Sequence, residues 1–170
     1  MKNQNLRKTV FSALFAAIIC VATVVIQIPS PATKGYFNLG DCFVIIAGQL
    51  LGPLYGALAA GIGSALADIF ASYIHYAPAS FIIKAAMAAS SAVVYRAFKK
   101  QKSLAPAASG IVSEIIMLIG YFGFEGLILK YGLAAAAGIP SNAAQGITAI
   151  VLSFAVSTAL KKAKLFDKMK

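Results

Sequence analysis

The sequence has no tryptophan, one histidine, two cysteines and five acidic residues in 170 positions. One histidine and two scattered cysteines cannot build a zinc site from its usual ligands. Cys20 and Cys42 also lack the spacing of a disulfide framework and read as small buried hydrophobes. Without tryptophan, any ring stacking falls to tyrosine and phenylalanine. No phosphate-binding Gly-Lys-Ser/Thr loop is present, which excludes ATP hydrolysis by that route. Ser80 and Lys84 have helical spacing, but no surrounding motif makes them a nucleophile and its base. Neither an enzyme nor a cofactor or metal site is expected. Charge is scarce too. Only 12% of residues are charged and 60% are hydrophobic, with a mean hydropathy of +0.83. A soluble domain has about 25% charged and about 45–50% apolar residues. There is too little polar side chain here to coat a water-facing globule, so the expected solvent is lipid.

What charge there is carries a sign. The formal net charge is +10, yet nucleic acid is not the expected partner, because the bases fall in the gaps between apolar runs. They are Lys2, Arg7 and Lys8, then Arg96, Lys99, Lys100 and Lys102, then Lys161, Lys162, Lys164, Lys168 and Lys170. That distribution is the positive-inside signature. The first apolar run, Val10 to Ile28, is longer than the about 7–15 residues of a signal-peptide core and is followed by further apolar segments, so it reads as a membrane helix.

The expected architecture is an all-α membrane protein, a single domain of six transmembrane helices over residues 1–170. The first span covers Thr9 to Ile28 and stops at Pro29 and Pro31. A polar loop, Pro29 to Gly40, leads to a short apolar segment, Leu39 to Leu51, broken at Gly52-Pro53. The third span, Leu54 to Tyr73, sets Ala57, Gly61, Ala65 and Asp68 on one face. Spans four to six are Ala79 to Phe98, Leu104 to Leu129 and Ser141 to Leu160. Six spans put both termini on one side, and the basic ends and the Arg96–Lys102 turn then fall together in the cytoplasm. The loops Pro29–Gly40, Ser72–Ser80 and Lys130–Pro140 fall outside.

Ionisable groups at membrane depth cost about 2.5–3.5 kcal/mol each on insertion scales, so each calls for a reason. Lys84 either snorkels to the headgroups or faces a pocket. Glu114, Tyr121 and Glu125 share a helix face and line a cavity, or form an ion pair with Lys84 or Lys130. Asn142 and Gln145 open the last helix; Ser141 or Asn142 suits an N-cap, which leaves Gln145 unexplained. Asp41 caps the second helix or pins a loop, and Asp68 bonds a neighbouring loop backbone. His75 sits between tyrosines as a surface or gate residue. Tyr36, Asn38 and Tyr76 complete the candidate ring. Ala13 and Ala17, four apart, suit close helix approach, inside this chain or against a partner.

Several stretches resemble the substrate-binding S components of energy-coupling factor (ECF) vitamin transporters. They are Gly35-Tyr-Phe-Asn-Leu-Gly-Asp41, Leu51-Gly-Pro53, Gly61-Ile-Gly-Ser-Ala-Leu-Ala-Asp68, Tyr76-Ala-Pro78 to Lys84, and Asn142 to Gln145. The resemblance implies a six-helix protein of the cell membrane that binds a water-soluble vitamin or precursor from outside. It implies docking, through the Ala13-x-x-x-Ala17 motif, onto a transmembrane coupling subunit with two cytoplasmic ATPases. It also implies that the protein tips over in the bilayer. Among the family's ligands, hydroxymethylpyrimidine, pyridoxine or a riboflavin-like molecule are the expected classes. The rival reading is a stand-alone proton-coupled transporter of a small heterocycle, working through Glu114.

Overall fold

A computed structural model of the protein describes residues 2–29, 36–101 and 103–163. Lys34 and Gly35 of the first loop, Lys102 of the basic turn, and Lys164, Lys168 and Lys170 of the tail lie outside the described residues.

Six α-helices form the bundle: α1 (Lys2–Val25), α2 (Gly40–Leu51), α3 (Pro53–Phe70), α4 (Ala77–Ala97), α5 (Leu104–Gly123) and α6 (Ile139–Lys162). Five helical segments are long and apolar enough to cross a membrane, while α2 is not. At 12 residues it reaches only about 18 Å. Apart from Asp41 and Gln49 it is apolar on every face, as suits a helix that other helices surround. Ten of its residues are buried, and it touches all five other helices. The spanning helices turn apolar side chains such as Leu14, Leu54, Ile82, Ile119 and Val151 outward.

Small residues allow this density. A Cβ on Gly48 of α2 would collide with the Ala88 carbonyl of α4. A Cβ on Gly63 of α3 would stand 2.5 Å from the Ala16 carbonyl of α1. The buried residues of α3 are Gly56, Ala59, Ala60, Gly61, Gly63, Ser64, Ala67 and Asp68; of the expected face, Gly61 and Asp68 are buried, while Ala57 and Ala65 are only partly buried. On α1 it is Ala16 that meets α3, while Ala13 and Ala17 are exposed.

Four expectations need correction. Helix α1 ends at Val25, before the prolines. The chain then forms a short antiparallel ribbon, β1 (Gln27–Pro29) with β2 (Tyr36–Asn38), pairing Gln27 with Asn38 and Pro29 with Tyr36. The fifth span is not one regular helix: its last turn, Phe124–Ile128, is π-helical, with the Leu129 amide reaching the Phe124 carbonyl at 3.0 Å. The segment expected as a loop before α6 is a 3-10 helix, Gly132–Gly138. Helix α6 starts at Ile139 with Pro140 in its first turn, where a missing N–H costs nothing, so Ser141 and Asn142 lie within the helix and neither caps it.

Candidate functional site

The ribbon, the α3–α4 turn, the π-helical turn and the start of α6 meet at one end of the bundle. There they enclose a polar cavity lined by Thr23, Tyr36, Asn38, Ser64, Asp68, Tyr76, Ser80, Lys84, Tyr121, Glu125, Asn142 and Gln145. About 460 Å³ of space, part of it open to solvent, lies among these side chains, but only about 40 Å³ admits the centre of a water molecule. That is room for a few waters. A ring-sized guest requires some of these side chains to move.

At its floor is a relay across four elements. Lys84 of α4, only 3% exposed, donates to Asp41 of α2. Gln145 of α6 donates from Nε2 to the other Asp41 oxygen at 2.6 Å. Its amide oxygen accepts from the Asn38 backbone N–H of β2 at 2.7 Å and from Asn38 Nδ2 at 3.3 Å. Asn38 Oδ1 in turn accepts from the Gly40 N–H at 2.8 Å. Asp41 is therefore no cap: the α2 N-terminus has no side-chain capping bond. Its carboxylate balances a buried cation, and both its oxygens are bonded. Lys84 does not snorkel, and its ion pair is made with Asp41 and not with Glu114 or Glu125, the alternative to a cavity lining for those two acids. Lys84 Nζ also lies 5.3 Å from the centre of the Tyr121 ring.

The walls are aromatic and acidic. Tyr36 donates to Asp68 Oδ1 at 2.6 Å, which ties the ribbon to the end of α3 through side chains and not through the backbone. Tyr76 donates to Glu125 Oε1 at 3.1 Å. Burial, reinforced by the neighbouring carboxylates, raises the pKa of both phenols and keeps them protonated as donors. Ser80 and Tyr121 share a hydrogen bond of 2.7 Å. The rings of Tyr36 and Tyr73 lie 4.6 Å apart, and those of Tyr76 and Phe124 5.4 Å apart. Ser72, at φ +67°, takes the left-handed conformation that ends α3 and swings Tyr73 toward Tyr36.

Glu114 stands apart from the other candidates. It is 3% exposed, lies deeper on α5, and is absent from the cavity wall. Neither of its oxygens has a hydrogen-bond partner among the described residues. Gly146 of α6 makes room for it, since a Cβ there would come within 3.0 Å of Glu114 Oε2. His75 is exposed and does not line the cavity. Thr23 and Ser64 line it without having been expected. Hydroxyls are common in membrane helices, where they bond back to the preceding turn, so nothing in the sequence marks these two.

A second hollow, about 640 Å³ and almost wholly apolar, runs along the outside between α1 and α3. Ala13, Ala17, Leu58, Ile62, Leu66 and Phe70 are among its lining residues.

Similarity to known proteins agrees with this layout. A protein of Pyrococcus woesei described as an uncharacterized protein in gap 3'region is 30% identical over 146 residues, covering 85% of this chain and 95% of its own length. The thiamine precursor transporter HmpT of Lactococcus lactis subsp. cremoris (strain MG1363) is 26% identical over 168 residues, covering 98% of this chain and 95% of its own length. A solved structure of the S component of a bacterial ECF transporter matches the fold with a TM-score of 0.64 at 20% identity, over 95% of this chain and 98% of that one. The family model for the S component of ECF-type riboflavin transporters matches residues 3–162. The chain belongs to that family of transporter S components.

Proposed function

We propose that this chain captures a small water-soluble vitamin or vitamin precursor, of the size of hydroxymethylpyrimidine or pyridoxine, from outside the cell. Partner subunits then drive its uptake with ATP. The observation that carries this reading is the polar cavity itself. Twelve side chains, every one bearing a hydroxyl, amide, carboxyl or ammonium group, converge at one end of an apolar bundle. Concave sites with a few well-placed polar anchors are the usual form of a small-molecule pocket. The role of HmpT as a thiamine precursor transporter supports the small-heterocycle class over a ligand as large as riboflavin. Tyr36, Asn38, Tyr76, Lys84, Tyr121, Glu125, Asn142 and Gln145 are the proposed contacts, with Asp41 and Asp68 holding them in place. Both termini lie in the cytoplasm in this reading, and the ribbon faces outward.

The apolar hollow between α1 and α3 is the proposed seat of the transmembrane coupling subunit, which in turn carries two cytoplasmic ATPases. Ala13 and Ala17 are exposed there, as a helix–helix contact of small residues requires.

The test is direct. The purified chain, without ATP, is screened against B vitamins and their precursors by thermal shift, and co-purifying small molecules are identified by mass spectrometry. A ligand that raises the melting temperature is the expected result; no shift and no co-purified ligand would end this reading. Glu114, buried with both oxygens unpartnered, favours a second reading, a proton-coupled carrier. That reading expects uptake without any ATPase and its loss in Glu114→Gln. The first expects uptake to require the ATPases and to survive that substitution.

A further inference from the structure

The apolar hollow is walled by two helices that run in step. Lys8 Nζ of α1 lies 5.9 Å from the centre of the Tyr55 ring of α3. Further along, Ala16 meets Gly63, and the step from Lys8 to Ala16 equals that from Tyr55 to Gly63. The helices are therefore parallel and start at one level. The lining reaches from Thr9 to Val21 on α1 and from Tyr55 to Phe70 on α3, about 18 Å and about 22 Å of helix. The hydrocarbon of one leaflet is about 15 Å deep, so the track is long enough for one acyl chain. The polar atoms at its start need no partner: Thr9 donates to the Asn5 carbonyl at 3.0 Å and Ser12 to the Lys8 carbonyl at 2.8 Å. The mouth, by contrast, is cationic. Lys8 is half-buried there and Arg7 is exposed beside it. Neither is paired with an acid among the described residues, whose one salt bridge is Lys84–Asp41.

We propose that in the free chain this hollow holds one anionic phospholipid. An acyl chain lies along α1 and α3, and Lys8, with Arg7 beside it, holds the phosphate. The proposal takes its leaflet, the cytoplasmic one, from the orientation given above and is independent of what fills the polar cavity. Space left empty between the helices forfeits dispersion contacts, so a chain fills it. That chain gains little by exchanging lipid neighbours for leucine and isoleucine, since lipid tails are equally apolar. Charge is then what singles out one lipid. A zwitterionic headgroup brings its own cation against Lys8 and Arg7, whereas phosphatidylglycerol brings none. Each base at the surface of an anionic membrane gives about a fivefold preference. A coupling subunit seated in the hollow has to displace this lipid.

The test is native mass spectrometry of the full chain released from nanodiscs of phosphatidylglycerol and phosphatidylcholine with matched acyl chains. One phosphatidylglycerol per chain is expected, preferred at least about fivefold. Phosphatidylglycerol with a photoreactive diazirine on its acyl chain should label the hollow above other outward-facing positions such as Ile82, Ile119 and Val151. Lys8→Gln with Arg7→Gln should bring the preference within about a factor of two. Ala17→Phe, which fills the hollow, should cut retention of both lipids, and the melting temperature monitors the fold of each variant. Equal retention of the two lipids would overturn the proposal, as would a preference untouched by the glutamine variant or labelling spread evenly over the outer faces. Retention of neither lipid would leave the hollow to the coupling subunit, and a lipid-free dimer would give it to a second copy; both overturn the proposal. Vitamin binding by thermal shift is read separately, so either reading can fail alone.

Discussion

Two buried polar clusters lie at opposite ends of α2, and they are finished differently. At the Gly52 end, Gln49 donates to Ser109 of α5 at 2.8 Å and accepts from Ser157 of α6. Ser91 of α4 donates to the Ile45 carbonyl at 2.9 Å, and Ser113 to the Met87 carbonyl at 3.0 Å. None of these side chains has an unpartnered buried atom. At the Gly40 end, Asp68 and Glu125 each keep an oxygen without a partner among the described residues. Neutral hydroxyls and amides at helix crossings close their own networks and lock the helices together. Carboxyl groups left half paired beside a cavity are in the opposite condition. Buried polar groups in native proteins are nearly always satisfied, so exceptions grouped on one wall support the binding role proposed for that cavity. Polarity inside a bundle does not by itself signal a binding site, and neither does incomplete pairing alone, since Glu114 is unpartnered below the cavity; among the described residues the two coincide with a hollow only at the Gly40 end.

The sharpest way to break that contrast is at Lys84. Lys84→Ala leaves Asp41 charged and uncompensated, and is expected to cost about 3–5 kcal/mol of stability. It should also abolish ligand binding. The double variant Lys84→Met with Asp41→Leu should recover most of the melting temperature without restoring binding; recovery of both would make the pair purely structural. A smaller effect is expected at the other end. Gln49→Leu strands the Ser157 hydroxyl, while Ser109 keeps its bond to the Pro106 carbonyl, and should cost about 1–3 kcal/mol in thermal unfolding. Ligand affinity should stay within a factor of about two, and a larger loss would join the two clusters into one unit. The smallest effect on the isolated chain is expected where neither cluster reaches. Ala13→Leu or Ala17→Leu, at exposed positions, should change stability by no more than about 0.5 kcal/mol and spare ligand affinity. Co-purification with the coupling subunit should fall. Loss of ligand affinity together with assembly would place those alanines in the fold's own support.

Much of this was legible in the residues because charge is so rare in the chain. Each ionisable group or amide in an apolar run is expensive, so Lys84, Glu125 and Gln145 stood out, and they do lie on one cavity wall with Tyr36, Asn38, Tyr76, Tyr121 and Asn142. Asp41 was misread for a local reason. An acid at the first turn of a helix suits the helix dipole whatever else it does, and its partner lies 43 positions away. Glu114 was grouped with Tyr121 and Glu125 by helical spacing, but spacing sets direction and not depth, and it sits below the cavity. Paired strands of three residues, separated in sequence by a proline-containing stretch, offer no alternation to detect. The Gln49–Ser109–Ser157 network was out of reach because it joins three helices through residues unremarkable singly.

The shortness of α2 has one more consequence. A helix encased on every side presents almost nothing to lipid, so changes in bilayer thickness are borne by the five helices around it through tilt. Asp41 stands on that sheltered rod, while its partners Lys84 and Gln145 stand on α4 and α6, which take up the tilt. A change of bilayer thickness should therefore act on guest affinity by moving those two side chains against a fixed carboxylate, and the same change alters how the outer helices meet a neighbouring subunit.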